Sequence, residues 1–282
     1  SVRIETEALV TGLIFDNKKC IGVKFTQKGK QHEIFAGKEI VLSGGAVNSP
    51  HILQVSGIGP QHHLQSIGVK TVHDLPGVGQ NLQDHYVSRI SHRVKNTASI
   101  NQLSRGIRLL REIGSWVFEG KGALTFGITS AMVFSRSREG LSSPDIQLLF
   151  TPASYSQKTH GELEKEGGMT VVVCPVRPSS RGTIMAESSD ALIRPLIRPN
   201  YLSDPDDIRV MIAGLRQARE ILAQPAFKSF SVEETVPGQM LQSDDELEKF
   251  ARDNGSIIYH PVRTCNMGED PMAVVDSRLK VH

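Results

Sequence analysis

One stretch constrains this chain more than any other. Glu39-Ile40-Val41-Leu42 is a short apolar run, the pattern of a buried strand, and it breaks at Ser43-Gly44-Gly45-Ala46. A helix is predicted from Ser49-Pro50 through Ile52, Leu53 and Val55, because Pro suits a helix start and Ser56-Gly57 its end. Ser56-Gly57-Ile58-Gly59-Pro60 then turns the chain tightly. At Gly44 and Gly45 no Cβ intrudes, which either serves the strand–helix turn itself or lets a bulky planar ligand approach the backbone at the helix N-terminus.

The flanking segments extend this reading. Ala8 to Phe15 and Cys20 to Phe25 predict two strands of a meander, with a turn at Asp16-Asn17-Lys18-Lys19 and a second, polar turn over Thr26 to Gln31. Asp145–Phe150 and Met169–Cys174 predict further strands, and 181–186 and 192–197 predict edge pieces, given Pro195 and Pro199. Apolar residues at helical spacing predict a helix over 103–117. A cap and first-turn Pro at Asp204-Pro205 predict one over 205–223. The capping box Ser243/Glu246 predicts one over 244–253. Thr159 to Gly168 predicts an exposed loop.

Composition excludes several classes. The 282 residues carry 32 basic and 30 acidic side chains, a net charge of +2, which gives no footprint for nucleic acid. No apolar run approaches the ~20 residues of a membrane span. Three cysteines leave at least one thiol unpaired within the chain. There is no G-x-G-x-x-G, no phosphate-loop lysine and no G-x-S-x-G elbow. His32-Glu33 and His62-His63 lack partners at metal-ligand spacing, so no metal site is expected.

Three long features remain. They are Gly45-Ala46-Val47-Asn48-Ser49-Pro50-His51-Ile52-Leu53-Gln54-Val55-Ser56-Gly57-Ile58-Gly59-Pro60, Gly77-Val78-Gly79-Gln80-Asn81-Leu82-Gln83-Asp84-His85, and Ile258-Tyr259-His260-Pro261-Val262-Arg263-Thr264-Cys265-Asn266-Met267-Gly268. Together they resemble the glucose–methanol–choline (GMC) family of flavin oxidoreductases, and within it the arthropod glucose dehydrogenase type. The first feature matches the family's second signature in full, and Ser180-Arg181-Gly182-Thr183, Pro199-Asn200-Tyr201-Leu202 and Val274-Val275-Asp276 extend the likeness.

The resemblance implies an α/β fold, mixed α+β in detail. Residues 1–86 and 255–282 would form part of an FAD domain. Residues 87–254 would form a substrate domain whose largely antiparallel sheet is backed by the three later helices. It implies FAD as cofactor, with Val10 against the adenine half and Gly44, Gly45 and Ala46 at the flavin turn. It also implies a small alcohol or sugar substrate and an electron acceptor, quinone-like or oxygen. His260 would take the substrate's hydroxyl proton while hydride passes from carbon to flavin, work suited to an imidazole titrating near neutrality. Asn81, Asp84 and His85 are read as loop hydrogen-bonding residues.

The sequence departs from the family in three ways. The amino-terminal G-x-G-x-x-G is absent, and the segment bearing the family's second His or Asn would follow His282. Both ends therefore read as cuts through a longer protein, and the piece alone is expected to be inactive. Arg263 stands where the family usually has Gly, a strained choice wherever the backbone needs positive φ. These departures leave an alternative, a non-catalytic binding protein on the same scaffold. The resemblance favours secretion, and Asn254-Gly255-Ser256 is a glycosylation sequon in form.

Overall fold

Asn17 and Lys28 take left-handed φ of 52° and 49°, and Gly29 of 75°, which lets two tight turns fold the first strands onto one another. A computed structural model describes residues 2–125, 127–156, 159 and 161–282. In chain order its elements are β1 (Ala8–Asp16), β2 (Lys19–Gln27), β3 (Lys30–Phe35), α1 (Gly45–Val55), β4 (Ile58–Gly59), α2 (Gln61–Ser66), β5 (His73–Asp74) and β6 (Tyr86–Val94). Next come α3 (Ile100–Leu103), α4 (Gly106–Glu119), a single 3-10 turn (Ala123–Thr125), β7 (Ala131–Ser135), β8 (Ile146–Thr151), β9 (Gly168–Pro175), β10 (Thr183–Met185) and β11 (Leu196–Arg198). The chain ends with α5 (Pro205–Leu222), α6 (Pro225–Lys228), β12 (Ser231–Val236), α7 (Asp244–Asn254) and β13 (Ser256–Ile257). This is a mixed α/β chain with largely antiparallel sheets.

The chain divides into two units. The first comprises residues 1–84, 180–201 and 260–282. It holds the antiparallel meander β1-β2-β3, the short parallel pair β4-β5 and the antiparallel pair β10-β11. Its core gathers Leu53 of α1, Ile58, Leu75, Val78 and Val274. The segment 180–201, expected with the substrate domain, packs here. Gln54 of α1 reaches Ile184 and Ala186, and the bridge Leu82–Gly182 pins the start of the segment. Those pairings span 100 to 132 residues, so no local pattern announces them.

The second unit comprises residues 85–179 and 202–259. Its six-stranded sheet runs β12-β6-β9-β8-β7, with β13 also on β6. One face is covered by α5 and α7: Ile90, Ile146, Leu148, Val171 and Val173 meet Met211, Leu215, Leu222 and Leu247. Gly214 lets α5 approach closely, since a Cβ there would press into Val173 and lie 3.3 Å from Ile146 Cγ2. The helices open as their sequences dictate. The Asp204 carboxylate accepts the Asp206 N–H at 2.8 Å, and Ser243 and Glu246 form the reciprocal capping box.

Three expectations need correction. Residues 39–42 form no strand, and Val41 is 77% exposed. A buried strand needs a hydrogen-bonded neighbour, and none pairs with this run among the described residues; only Leu42 packs on the core. The helix expected over 103–117 is two helices, α3 and α4, and does not back the sheet. It folds against α3 and the 3-10 turn, where Glu112 Oε2 accepts the Ala123 N–H at 2.7 Å, and Ile107, Leu110, Val117 and Phe118 stay exposed. Finally, α1 starts at Gly45, so Pro50 lies inside the helix and not at its start. Part of the loop expected over 159–168 is seen, with Tyr155 bridged to Leu163 and Gly168 opening β9; His160 lies outside the described residues.

Candidate functional site

Pro50 inside α1 organises the first unit's cleft. A proline has no N–H, so the carbonyl four residues earlier, that of Ala46, loses its helical partner. The Thr264 hydroxyl donates to it instead, at 2.6 Å. Thr264 is 1% exposed, and its own carbonyl accepts the Gly79 N–H at 2.9 Å. The latch holds 261–265 beside the α1 N-terminus. Together Gly45, Ala46, Ser49, Pro261, Arg263 and Thr264 line a cleft of about 440 Å³. Two motifs more than 200 residues apart in sequence thus form one site.

Thr264→Val keeps the shape and strands the Ala46 carbonyl, an expected loss of about 1–3 kcal/mol. Pro50→Ala on that background restores an N–H four residues on and recovers part of the loss. Urea denaturation of the two single variants and the double variant checks this, and purely additive costs would contradict the latch.

The third motif is held by its backbone. The Asp84 carboxylate accepts the His260 N–H through Oδ1 and the Tyr201 hydroxyl through Oδ2, each at 2.8 Å. Gln83 and Val262 exchange backbone hydrogen bonds at 3.2 and 2.8 Å. The His260 side chain is left exposed next to the cleft-lining Pro261. Asp84 thus acts as a hydrogen-bonding loop residue, as expected, and the segment it positions is the one bearing His260. His85 bonds elsewhere, with Nε2 3.0 Å from the Val176 carbonyl.

Arg263 has φ of 75°, the left-handed region that favours glycine. The backbone therefore keeps the path a glycine would take. An L-residue there costs about 1–2 kcal/mol, while glycine would add unfolded-state entropy worth roughly 0.4–1 kcal/mol. Arg263→Gly is expected to raise stability by up to about 1.6 kcal/mol. A lower thermal midpoint in that variant would show that the guanidinium contributes more than the strain removes.

Not every expected residue meets the cleft. Gly45 does, with φ of 74° and open space where a Cβ would stand. Gly44 serves the helix itself, since a Cβ there would lie 3.1 Å from Asn48 Cβ and Ser49 N. Val10 is half-buried on β1 opposite Phe25 and does not line the cleft. The sequence reading missed Thr264, Tyr201 and Gln54 as organisers; Pro50 inside the helix was the one local signal for the first. Nearby, burial lowers the pKa of the His51 imidazole and so favours its neutral form, and burial pushes the Cys265 thiol up to about 11. All three cysteines are free thiols. Among the described residues no group of three or more His, Cys, Asp or Glu side chains could hold a metal ion, and no helix is long and apolar enough to cross a membrane.

Comparison with known proteins bears on this geometry. Two sequence profiles, both described as GMC oxidoreductase, match residues 1–87 and 178–282, which together exceed half the chain. An alcohol dehydrogenase [acceptor] of Pseudomonas putida is 39% identical over 99% of this chain and 51% of its own length. The mitochondrial choline dehydrogenase of Homo sapiens is 37% identical over 100% of this chain and 48% of its own. A formate oxidase superposes with a TM-score of 0.89 at 27% identity, over 98% of this chain and 53% of that one. The chain spans about half the length of the curated relatives it matches. On these matches, the chain belongs to the GMC oxidoreductase family.

Proposed function

We propose that the chain serves an FAD-dependent oxidoreductase that oxidises the CH–OH group of a small alcohol or sugar, with His260 as the base. The observation that carries the proposal is the cleft in which Gly45 and Ala46 of the helix turn meet Pro261 to Thr264 of the His260 segment.

The residues there fit one edge of a flavin nucleotide. The α1 N-terminus has no side-chain cap and no acidic residue in its first turn, so its N–H groups remain available to an electron-rich ligand. Gly45 and Ala46 offer a backbone ledge, and Arg263 brings a cation to the same cleft. By family resemblance Val10 would lie along the adenine half. Bound FAD would supply the hydride acceptor that side chains cannot provide.

The chain's own part is proton management. Asp84 and Tyr201 hold the backbone of the His260 segment, so its imidazole extends from a fixed base. Neutral imidazole would accept the substrate hydroxyl proton, and the resulting alkoxide gives up hydride far more readily than the alcohol. An electron acceptor, quinone-like or oxygen, completes the cycle. The likeness to arthropod glucose dehydrogenases rests on the sequence motifs alone and adds glucose to the candidate substrates.

The test is anaerobic mixing of the FAD-loaded whole protein that contains this chain with aliphatic alcohols, choline and glucose. Bleaching of the oxidised flavin absorption by at least one of them is expected. Stoichiometric flavin with no bleaching by any would favour a binding protein that retains the scaffold.

A further inference from the structure

The joint between β6 and β12 holds a histidine that the proposed chemistry does not use. His92 on β6 stands opposite Glu234 on β12, and the pairing slips once on either side of Glu234. The ring lies on the α5 side of the sheet, as does Ile90 two residues earlier. Its Nδ1 is 2.7 Å from the Ser231 hydroxyl. Its Nε2 is buried without a hydrogen-bond partner among the described residues and stops 3.9 Å from Glu234 Oε2. That gap exceeds a hydrogen bond by about 1 Å. With the Ser231 hydroxyl donating to Nδ1, the neutral ring directs an N–H toward a carboxylate it does not reach.

Glu234 is kept from closing the gap by Arg219 of α5, which holds both its oxygens. Arg219 Nε donates to Oε2 at 3.0 Å and Nη2 to Oε1 at 2.8 Å. The same pair ties down the connection from β12 to α7. The Gly238 N–H donates to Glu234 Oε1 at 3.1 Å, and Arg219 Nη1 donates to the Leu241 carbonyl at 2.8 Å. Between these anchors Met240 is exposed, so polar contacts and not apolar burial hold the middle of the connection. Among the described residues, Glu234 from β12 and Arg219 from α5 are the charged groups that face His92, and β9 presents the uncharged Met169 opposite it. Arg93, next along β6, is paired with Glu164 and Glu166, and Glu233 is exposed.

We propose that His92 is the trigger of an acid-released clasp, in which Arg219 and Glu234 hold the 237–243 connection and protonation of the ring lets it go. Once protonated, both ring nitrogens are donors. Nδ1–H keeps the Ser231 oxygen, and Nε2–H competes with Arg219 for Glu234. One carboxylate, 4% exposed, then serves two cations. Movement of Glu234 toward Nε2 draws it away from Arg219 and from the Gly238 N–H together. Burial lowers the His92 pKa, Glu234 raises it and Arg219 lowers it, with a net shift downward. The closed clasp therefore takes up a proton less readily than an opened one, in which the ring regains its ordinary value of about 6.5. Above about pH 6.5 the ring is neutral in both forms and the clasp keeps its full stability. That stability is lost as pH falls from there through the lowered value of the closed form. Across this window the open fraction rises by up to ~10-fold per pH unit, for one proton taken up. The inference is independent of the flavin reading, because it concerns the second unit alone and is read by amide exchange, not turnover.

Hydrogen–deuterium exchange of the full chain from neutral to mildly acidic pH, corrected for the intrinsic pH dependence of amide exchange, tests it. Protection of the Gly238 amide is expected to stay constant above about pH 6.5 and to fall below it by up to ~10-fold per pH unit. Amides of β9 are expected to keep their protection over the same range. His92→Gln, which takes up no proton there, is expected to remove the pH dependence at Gly238. A second measurement needs no variant and decides the matter even where His92→Gln does not fold: NMR titration of the His92 ring in the unaltered chain. Its midpoint is expected below about 6.5, at the pH where the fall in Gly238 protection levels off. Gly238 protection that ignores pH, an equal fall in β9, a pH dependence that persists in His92→Gln, or a ring midpoint at or above about 6.5 overturns the proposal.

Discussion

In the whole protein that contains this chain, His260→Gln is expected to slow flavin reduction by an alcohol about 10²–10⁴-fold, the usual contribution of a positioned general base, with flavin content unchanged. Three features make the effect separable from a folding defect. The side chain is exposed, so its loss removes little packing, and exposed substitutions of this kind usually change stability by less than about 0.5 kcal/mol. The hydrogen bond that fixes the segment runs from the His260 backbone N–H to Asp84 and does not depend on the imidazole. The latch at Thr264 is likewise independent of it. Glutamine can still donate and accept hydrogen bonds but cannot take a proton near neutrality. Rapid-mixing measurement of the reduction step, with a melting curve beside it, checks the expectation. A rate within threefold of the parent would remove His260 from the chemistry while leaving the family assignment intact.

The latch also shows how far the residues alone could be read. Local rules located β1, β2, β8 and β9 and the caps of α5 and α7, because each rests on a period or a terminus within a few residues. They also singled out the three motifs that carry the site. They missed β6, the strand on which β9, β12 and β13 all pair, since Tyr86 to Val94 buries Ser88 and Ser91 beside Val87 and Ile90 and so shows no alternation. They misread 39–42, where apolar residues promise a strand that finds no partner among the described residues. Most of all they could not see pairings between distant segments. Thr264 with Ala46, Asp84 with His260 and Tyr201, and Gln54 with Ile184 are each set by tertiary packing, which composition and spacing do not encode. The positive φ at Arg263 occupies the middle ground: family resemblance marked the position, and the backbone supplied the reason.

Gln54→Leu is expected to cost the first unit about 2–6 kcal/mol, one stranded group each at Ile184 and Ala186. Gln54 is fully buried. Its Nε2 donates to the Ile184 carbonyl at 3.0 Å, and its Oε1 accepts the Ala186 N–H at 2.8 Å. One amide side chain on α1 therefore satisfies two backbone groups flanking Met185, near the end of β10. Leucine fills similar volume and satisfies neither, so packing is kept while hydrogen bonding is lost. The same joint excludes a side chain from Gly79. Its φ is 80°, its carbonyl accepts the Ile184 N–H at 2.7 Å, and a Cβ there would press on the Ile184 carbonyl and stand 2.6 Å from Gln54 Nε2. Gly79→Ala is thus expected to damage the same contact by pushing Gln54 and β10 apart. Because both changes break one joint, their costs should fall short of additive in the double variant. Urea denaturation of the two single variants and the double variant measures this. A loss below about 1 kcal/mol for Gln54→Leu, or strict additivity with Gly79→Ala, would mean that 180–201 is held to the first unit by its other contacts, chiefly the Leu82–Gly182 bridge.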